Sequence, residues 1–208
     1  MIPTNDVLVM LVADTYSATP AGEVYDVGMD RAVITRLPSA DVISLRGTDN
    51  AAGWISDFKI KGVRSSLHPQ IGICEDGFLA GALALYAVLR GRAGINGRSL
   101  IIAAHSRGAG MGPELAALFL LDGIKAEWCL LLETPWCVGE QCRDLLLNAG
   151  IPGLQTWHGD DPVPCIPPVS WLLPNVWPIR HFGEWTLDPF DSHLMAGIVT
   201  DRQLLVGP

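Results

Sequence analysis

The sequence predicts an α/β fold in which helices cover both faces of a mostly parallel central sheet. Segments typical of strands and helices alternate along the chain, and this order requires crossover helices between parallel strands. The predicted strands are nearly continuous apolar runs, as in sheets that are buried on both faces. The chain has 208 residues, of which 49% are hydrophobic and 17% are charged, so it can bury a core without disulfides or metals. We therefore expect a single domain over residues 1–208.

The first half of the chain contains two predicted strands and a helix between them. "ADVISLRG" (40–47) is rich in β-branched residues and ends in a turn signal, which predicts a buried strand. "GFLAGALALYAVLR" (77–90) is longer than most strands and rich in Ala and Leu, so it predicts a well-buried helix. "SLIIAA" (99–104) predicts a second interior strand.

The second half continues the alternation. "GPELAALFLLDG" (112–123) predicts a helix, which we expect Pro113 to kink near its start. "EWCLLLET" (127–134) and "LQTWHGDD" (154–161) predict the third and fourth strands. "EQCRDLLLNAG" (140–150) predicts the helix between them, with a glycine at its end.

Composition argues against several partners and locations. The net charge of −8 disfavours nucleic acid or an anionic membrane as a partner held by bulk charge. None of the five cysteines shows zinc-ligand spacing, so we expect reduced thiols in an intracellular setting, with a Cys137–Cys142 disulfide as the alternative. The opening "MIPTNDVLVMLVADTYS" is too weak for a signal peptide, and no apolar run approaches the roughly 18 residues of a membrane span. We expect a protein that is cytoplasmic or released without a signal peptide, with no transmembrane segment.

The stretch "IIAAHSRGAG" (101–110) is the first candidate for chemistry, because an apolar strand ends there at a serine and a helix follows. A strained strand-to-helix turn that exposes a nucleophile needs small residues two positions before and after the serine, and Ala104 and Gly108 satisfy this for Ser106. Two alternatives to a nucleophilic serine remain for this stretch. Ser106 could cap the helix, or "GAGMG" could be part of a dinucleotide site, although its glycine spacing differs from G-x-G-x-x-G.

A serine nucleophile needs a histidine base and an acid that orients it. Enzymes of the α/β-hydrolase type supply them in the chain order Ser, acid, His. The acid should follow a strand, and "TWHGDD" offers both Asp160 and Asp161 there. The histidines that come later are His181 and His193.

Six short segments then follow one another in a characteristic order. They are "SLRGTDNAAGWISDF", "CEDGFLAGAL", "LLETPWCVGE", "DPVPCIPP", "RHFGEW" and "SHLMAG". The fourth fits D-x-V-P-x-x-P-P closely, and the others fit more loosely. In this order the segments resemble the class 3 lipase family, the fungal-type triacylglycerol lipases, from about Asp41 to Gly197. The resemblance implies an α/β-hydrolase fold.

The resemblance also implies a serine carboxylic-ester hydrolase, a lipase or esterase that works through an acyl-enzyme. Ser106 would be the nucleophile, His193 the base and Asp161 the acid, while Thr48 and the backbone N–H of Arg107 would form the oxyanion hole. No metal or organic cofactor is expected. The substrate would be an acyl ester of a small molecule or a lipid, with transient contact to a lipid interface. A phospholipase or thioesterase is the alternative within this class, and a catalytically inactive binding or structural protein is the alternative outside it.

Two departures from the family pattern stand at the serine. Ala104 replaces the first glycine of G-x-S-x-G, and Arg107 replaces the usual leucine. A cation at a helix N-terminus is disfavoured by the helix dipole, so something must offset Arg107. An acidic neighbour and an anionic group of the substrate are the two candidates.

The apolar segment between acid and base, "IPPVSWLLPNVWPI" (166–179), is the candidate acyl-chain surface. Leu172, Leu173 and Trp177 would contact the chain, on prolines that stiffen the loop. Trp54, after the Arg-Gly-Thr turn, is the remaining substrate-binding candidate. The alternative is that the tryptophans of this segment cover the edge of the sheet as core.

Overall fold

The computed structural model describes residues 2–48, 61–167, 169–173, 176–183 and 189–205. The α-helices in these ranges are α1 (Asn5–Asp14), α2 (Asp76–Leu89), α3 (Arg107–Leu121), α4 (Glu140–Asn148), α5 (Pro189–His193) and α6 (Met195–Asp201). The strands are β1 (Glu23–Val27), β2 (Asp30–Arg36), β3 (Ala40–Leu45), β4 (Gly62–Arg64), β5 (Ile73–Glu75), β6 (Ser99–His105), β7 (Ala126–Leu132), β8 (Gly153–His158) and β9 (Ile179–Phe182). Short 3₁₀ turns lie at Pro69–Ile71, Val163–Cys165 and Arg202–Leu204.

Within the described residues, the main sheet has seven strands in the order β1-β2-β3-β6-β7-β8-β9. The pairs from β3 to β9 are parallel, whereas β1–β2 and β2–β3 are antiparallel. The expected mostly parallel sheet with flanking helices is therefore confirmed. Strands β4 and β5 form a separate antiparallel pair.

The side chains of β6 alternate between two cores, one on each face of the sheet. Leu100, Ile102 and Ala104 belong to the larger core, which also contains residues of α2, α3 and α4. Ile101 and Ala103 point to the other face, where they join the apolar residues of α1 and α6. Successive residues of a strand face opposite sides, so an unbroken apolar run is needed when both sides are covered.

Helix α3 begins directly after Ser106, at Arg107 rather than at Gly112 as the sequence suggests, and it continues past Pro113 to Leu121. Glycines disfavour helix in isolation, but close packing requires them here. A Cβ built on Gly108 would lie 2.7 Å from the carbonyl oxygen of Leu45, and one on Gly110 would lie 2.7 Å from the Phe78 ring. Tertiary contact thus determines where the helix begins.

Helix α1 and the antiparallel strands β1 and β2 lie outside the segments for which the sequence predicted structure. Leu8, Val9 and Val12 are fully buried on one side of α1, with the spacing of a helical stripe. The strands predicted to reach Thr134 and Asp161 end earlier, at Leu132 and His158. No helix in the described ranges has the length and apolar character needed to cross a membrane.

Candidate active site

Ser106 lies in the sharp turn between β6 and α3. Its backbone has φ +54° and ψ −121°, in a region that residues other than glycine rarely adopt. Its N–H donates to the Leu132 carbonyl oxygen over 2.9 Å, and its own carbonyl oxygen accepts from the Gly110 N–H over 3.0 Å. The strained strand–turn–helix shape is that of a nucleophile elbow.

The side chains of Ser106, His193 and Asp161 form one hydrogen-bonded row. His193 Nε2 lies 2.6 Å from Ser106 Oγ, and His193 Nδ1 lies 2.7 Å from Asp161 Oδ2. The second oxygen of Asp161 accepts from the Val163 N–H over 2.9 Å. The Asp161 carboxylate can accept a hydrogen bond but cannot donate one. A neutral His193 ring therefore carries its proton on Nδ1, and its Nε2 can accept the proton of Ser106.

The alternative acid and base lie elsewhere. Asp160 accepts a hydrogen bond from Ser192 Oγ over 2.7 Å. His181 is exposed on β9, and its ring packs against Trp157 with 4.5 Å between ring centroids. The structure therefore brings Asp161 and His193, and neither Asp160 nor His181, to the row that contains Ser106.

Helix α5, which carries His193, is held by side chains from two strand ends. His105 Nε2 donates to the carbonyl oxygen of His193 over 2.9 Å. His158 Nδ1 donates to the carbonyl oxygen of Ser192 over 2.7 Å, and Ser192 Oγ donates to Asp160. A helix this short gains little from its own hydrogen bonds, so these contacts position the imidazole.

From the sequence we expected His105 to have a packing role, and we expected no particular role for Tyr16. The Tyr16 hydroxyl donates to His105 Nδ1 over 2.6 Å and accepts from the Gly47 N–H over 2.9 Å. Burial, reinforced by the neighbouring His193, lowers the pKa of His105 well below its ordinary value, so its ring is neutral. A chain of hydrogen bonds therefore connects the loop at Gly47 to the backbone of His193. The only sequence signal for this chain of hydrogen bonds was the position of His105 next to Ser106.

The Arg107 side chain forms an ion pair with Asp30 at the start of β2. Nε donates to Oδ1 over 2.7 Å and Nη2 to Oδ2 over 3.3 Å, while Nη2 also reaches the Gly77 carbonyl oxygen at 3.2 Å. Both side chains are largely buried. An acidic neighbour of the protein thus offsets the unfavourable helix dipole at Arg107.

The loop at Gly47 and Thr48 approaches Ser106. A Cβ built on Gly47 would be only 2.8 Å from Ser106 Cβ, so the two backbones approach closely. Thr48 Oγ1 is buried and has no hydrogen-bond partner among the described residues. Trp54 lies outside the described residues.

The candidate acyl-chain residues differ in exposure. Leu172 and Trp177 are only 2% and 4% exposed. Trp177 belongs to the larger core and its indole N–H donates to the Ile151 carbonyl oxygen over 2.8 Å. Leu173 is half-buried and lines a groove of about 350 Å³ together with Ile73 and Trp171. The burial of Trp177 agrees with the alternative that it is a core residue.

All five cysteines are free thiols, and four of them are buried. Cys142 contacts Cys74. In the part of the chain that the structure describes, no group of His, Cys, Asp and Glu side chains is arranged to hold a metal ion.

No protein-family model matches the sequence, and no curated protein sequence matches it. Solved structures do match. The triacylglyceride lipase of Rhizomucor miehei is 18% identical, with a TM-score of 0.64 over 90% of this chain and 81% of the lipase. The lipase of Rhizopus microsporus var. chinensis is 16% identical, with a TM-score of 0.66 over 88% and 75%.

A third similar structure is a triacylglycerol lipase whose catalytic centre is described as a serine protease triad. It is 19% identical, with a TM-score of 0.66 over 88% of this chain and 80% of that one. The chain therefore has the α/β-hydrolase fold seen in fungal class 3 lipases.

Proposed function

We propose that this α/β-hydrolase chain is a serine carboxylic-ester hydrolase that cleaves acyl esters through an acyl-enzyme. The observation that carries the proposal is the buried row in which His193 lies 2.6 Å from Ser106 Oγ and 2.7 Å from Asp161. The strained backbone of Ser106 supports it, because such strain is concentrated at functional positions. The triad described for one of the similar lipases gives further support.

The proposed reaction has two halves. In the first, His193 Nε2 takes the proton of Ser106 as Oγ bonds to the carbonyl carbon, and then gives this proton to the departing alcohol oxygen. In the second, His193 takes a proton from water, the water oxygen attacks the acyl carbon, and Ser106 leaves with that proton restored. Asp161 holds the imidazole tautomer and stabilises the imidazolium in both halves.

The oxyanion formed in each half needs donors that are in position beforehand. The backbone N–H of Arg107 is a candidate, because the first N–H groups of a helix have no acceptor within the helix. The hydroxyl of Thr48 is the second candidate, since it is buried beside the nucleophile without a partner among the described residues. Leu173, which is half-buried, is the residue of the apolar segment 166–179 that we propose to contact the acyl chain.

A fluorophosphonate probe tests the proposed function directly. The wild type is expected to label at one serine, identified as Ser106 by peptide mass spectrometry, and the Ser106→Ala variant is expected not to label. A folded wild type that does not label would instead indicate an inactive relative that acts as a binding or structural protein. Hydrolysis of a panel of lipid, phospholipid and thioester substrates then distinguishes lipase or esterase from phospholipase and thioesterase.

Asp161→Asn is expected to lower kcat by up to about 10⁴-fold, because an amide N–H facing Nδ1 selects the wrong imidazole tautomer. Asp160→Asn is the matched control, since its carboxylate accepts from Ser192 and not from His193. We expect a far smaller loss for the control in steady-state assays with a soluble ester. Equal losses at the two positions would contradict the assignment of the acid.

Thr48→Val keeps the shape of the side chain and its backbone N–H but removes the hydroxyl. It is expected to lower kcat by roughly 10²–10³-fold with little change in KM, because the hydroxyl would act on charge that exists only in the transition state. Steady-state kinetics with one soluble ester measure both constants. An effect confined to KM would make Thr48 a substrate-binding residue instead.

We also propose that residues 1–208 form one domain, because both cores pack on the same sheet. The free thiols support a reducing, cytoplasmic location. The substrate partner would be a small-molecule or lipid acyl ester.

A further inference from the structure

The imidazole of His158 is buried at the end of β8, with an oxygen acceptor at each ring nitrogen. Nδ1 lies 2.7 Å from the carbonyl oxygen of Ser192 on α5, and Nε2 lies 2.8 Å from Asp201 Oδ2 on α6. A carbonyl oxygen only accepts hydrogen bonds, and so does an ionised carboxylate. A neutral imidazole has one N–H and would turn a nitrogen lone pair towards one of these oxygens. Both contacts are satisfied when both ring nitrogens carry protons.

Packing holds the His158 ring against both acceptors. The side chain is only 4% exposed, and the Phe182 ring lies against it with 4.8 Å between ring centroids. A Cβ built on Gly183 would overlap Nε2 and Cδ2 of the imidazole, and a Cβ built on Gly197 would lie 3.1 Å from its Cε1. Glycines at these two positions therefore let the end of β9 and helix α6 close over the ring.

The proton shared by His158 and Asp201 belongs on the imidazole. Imidazole is a stronger base than a carboxylate. The Asp201 side chain is 33% exposed, so water stabilises its charged form, whereas the His158 ring is sealed and meets that charge directly. The pair is therefore an imidazolium facing a carboxylate.

Other titratable and charged groups lie on the elements packed around the ring. They are Asp191 and His193 on α5, Arg202 after α6, Glu133 after β7, Asp160 and Asp161 after β8, and Arg180 and His181 on β9. Glu133 accepts from the backbone N–H of His158 over 2.9 Å, so it holds the main chain of that residue. Arg202 forms an ion pair with Asp6 on α1.

We propose that His158 is a cationic positioning residue: its imidazolium donates to Ser192 on α5 and to Asp201 on α6, and thereby fixes the helix that carries His193. We call these three residues the histidine clamp. The proposal rests on the proposed serine-hydrolase function. Ser192 directly precedes His193, so the hydrogen bond to its carbonyl oxygen holds the backbone from which the catalytic imidazole extends. Helix α5 has five residues, too few to hold itself in place.

The histidine clamp should weaken as the pH rises. The charged ring makes both contacts, so its stabilising effect is complete while His158 is protonated and is lost when the ring releases a proton. One of the two acceptors then has no donor. We therefore expect the melting temperature and kcat of the wild type to fall on the alkaline side.

Asp201→Asn separates the charge from the contact. The amide N–H can donate to Nε2 of a neutral His158 ring while Nδ1–H still donates to Ser192, and the amide oxygen can accept from a charged ring. Its kcat at neutral pH should stay close to the wild-type value, and its alkaline fall should be smaller than that of the wild type. Asp191→Asn is the matched control, because Asp191 is an exposed aspartate of α5, and it should keep the wild-type pH profile.

Two further variants remove parts of the histidine clamp. His158→Ala removes both donors and should lower kcat about 10- to 100-fold with KM nearly unchanged, since a small displacement of a catalytic group costs up to about 10²-fold. Asp201→Ala removes the link to α6 and should lower the melting temperature at neutral pH as well. Steady-state kinetics with a soluble ester and thermal melts measure these effects.

A measurement that needs no turnover decides the charge of the ring. In protein labelled with ¹⁵N at the histidine ring nitrogens, the His158 resonances, identified by their change in Asp201→Asn, should show a proton on both nitrogens at neutral pH. A His158 ring with one proton at neutral pH overturns the proposal. So does a folded His158→Ala protein with wild-type kcat, or an Asp201→Asn protein with the full wild-type alkaline fall. If the wild type neither cleaves esters nor reacts with fluorophosphonate, the proposed function fails, and the NMR spectra and melts still decide whether the histidine clamp exists.

Discussion

Ser106→Ala is expected to lower kcat for ester hydrolysis by about 10⁶-fold. The reason is that no other group can form the acyl-enzyme, so only the oxyanion donors and substrate binding remain to accelerate attack by water. The fold should be unaffected, because the Ser106 N–H and carbonyl oxygen make the hydrogen bonds that hold the turn. The strained backbone persists whether or not Oγ is present.

The measurement is hydrolysis of a soluble chromogenic ester by purified protein, with the melting temperature as a check on folding. Ser44→Ala is a suitable control, since Ser44 is a buried serine on the neighbouring strand β3. We expect this control to retain activity. A Ser106→Ala protein with more than a hundredth of the wild-type kcat would exclude Ser106 as the nucleophile.

His193→Ala is expected to match Ser106→Ala, also with a loss of about 10⁶-fold in kcat. Removing the imidazole takes away the base that activates Ser106 and the acid that protonates the leaving alcohol, and it leaves the Asp161 carboxylate buried without its partner. The serine hydroxyl then keeps its proton near neutral pH. The double variant Ser106→Ala/His193→Ala should be no worse than either single one, because the two groups act as a unit.

His181→Ala is the control for this experiment. Its ring packs on Trp157 at the exposed end of the sheet, so its loss should lower the melting temperature and leave kcat largely intact. Activity assays and thermal melts of both histidine variants show which histidine is needed for turnover and which for stability. An active His193→Ala protein beside a folded but inactive His181→Ala protein would reverse the two roles.

The sequence alone predicted the elements whose signal is local. The strands at Ala40–Leu45 and Ser99–His105 and the helices at Asp76–Leu89 and Glu140–Asn148 lie where composition and periodicity predicted them. A strand buried on both faces must be apolar throughout, and a long Ala- and Leu-rich run favours helix, so these segments are readable without knowledge of their neighbours. Motif order along the chain was enough to nominate Ser106, Asp161 and His193.

Tertiary structure decided what depends on distant contacts. Helix α3 includes glycines that local propensity would exclude, because its start packs against the backbone of Leu45. Asp160 and Asp161 are adjacent and chemically alike, so local chemistry does not distinguish them. The family resemblance nominated Asp161, and the folded chain brings Asp161 to His193 and Asp160 to Ser192. Tyr16 lies far in sequence from His105, which it contacts, and no local pattern marks it. Propensity and spacing are properties of neighbouring residues, whereas hydrogen bonds between strand ends arise only when the sheet brings those ends together.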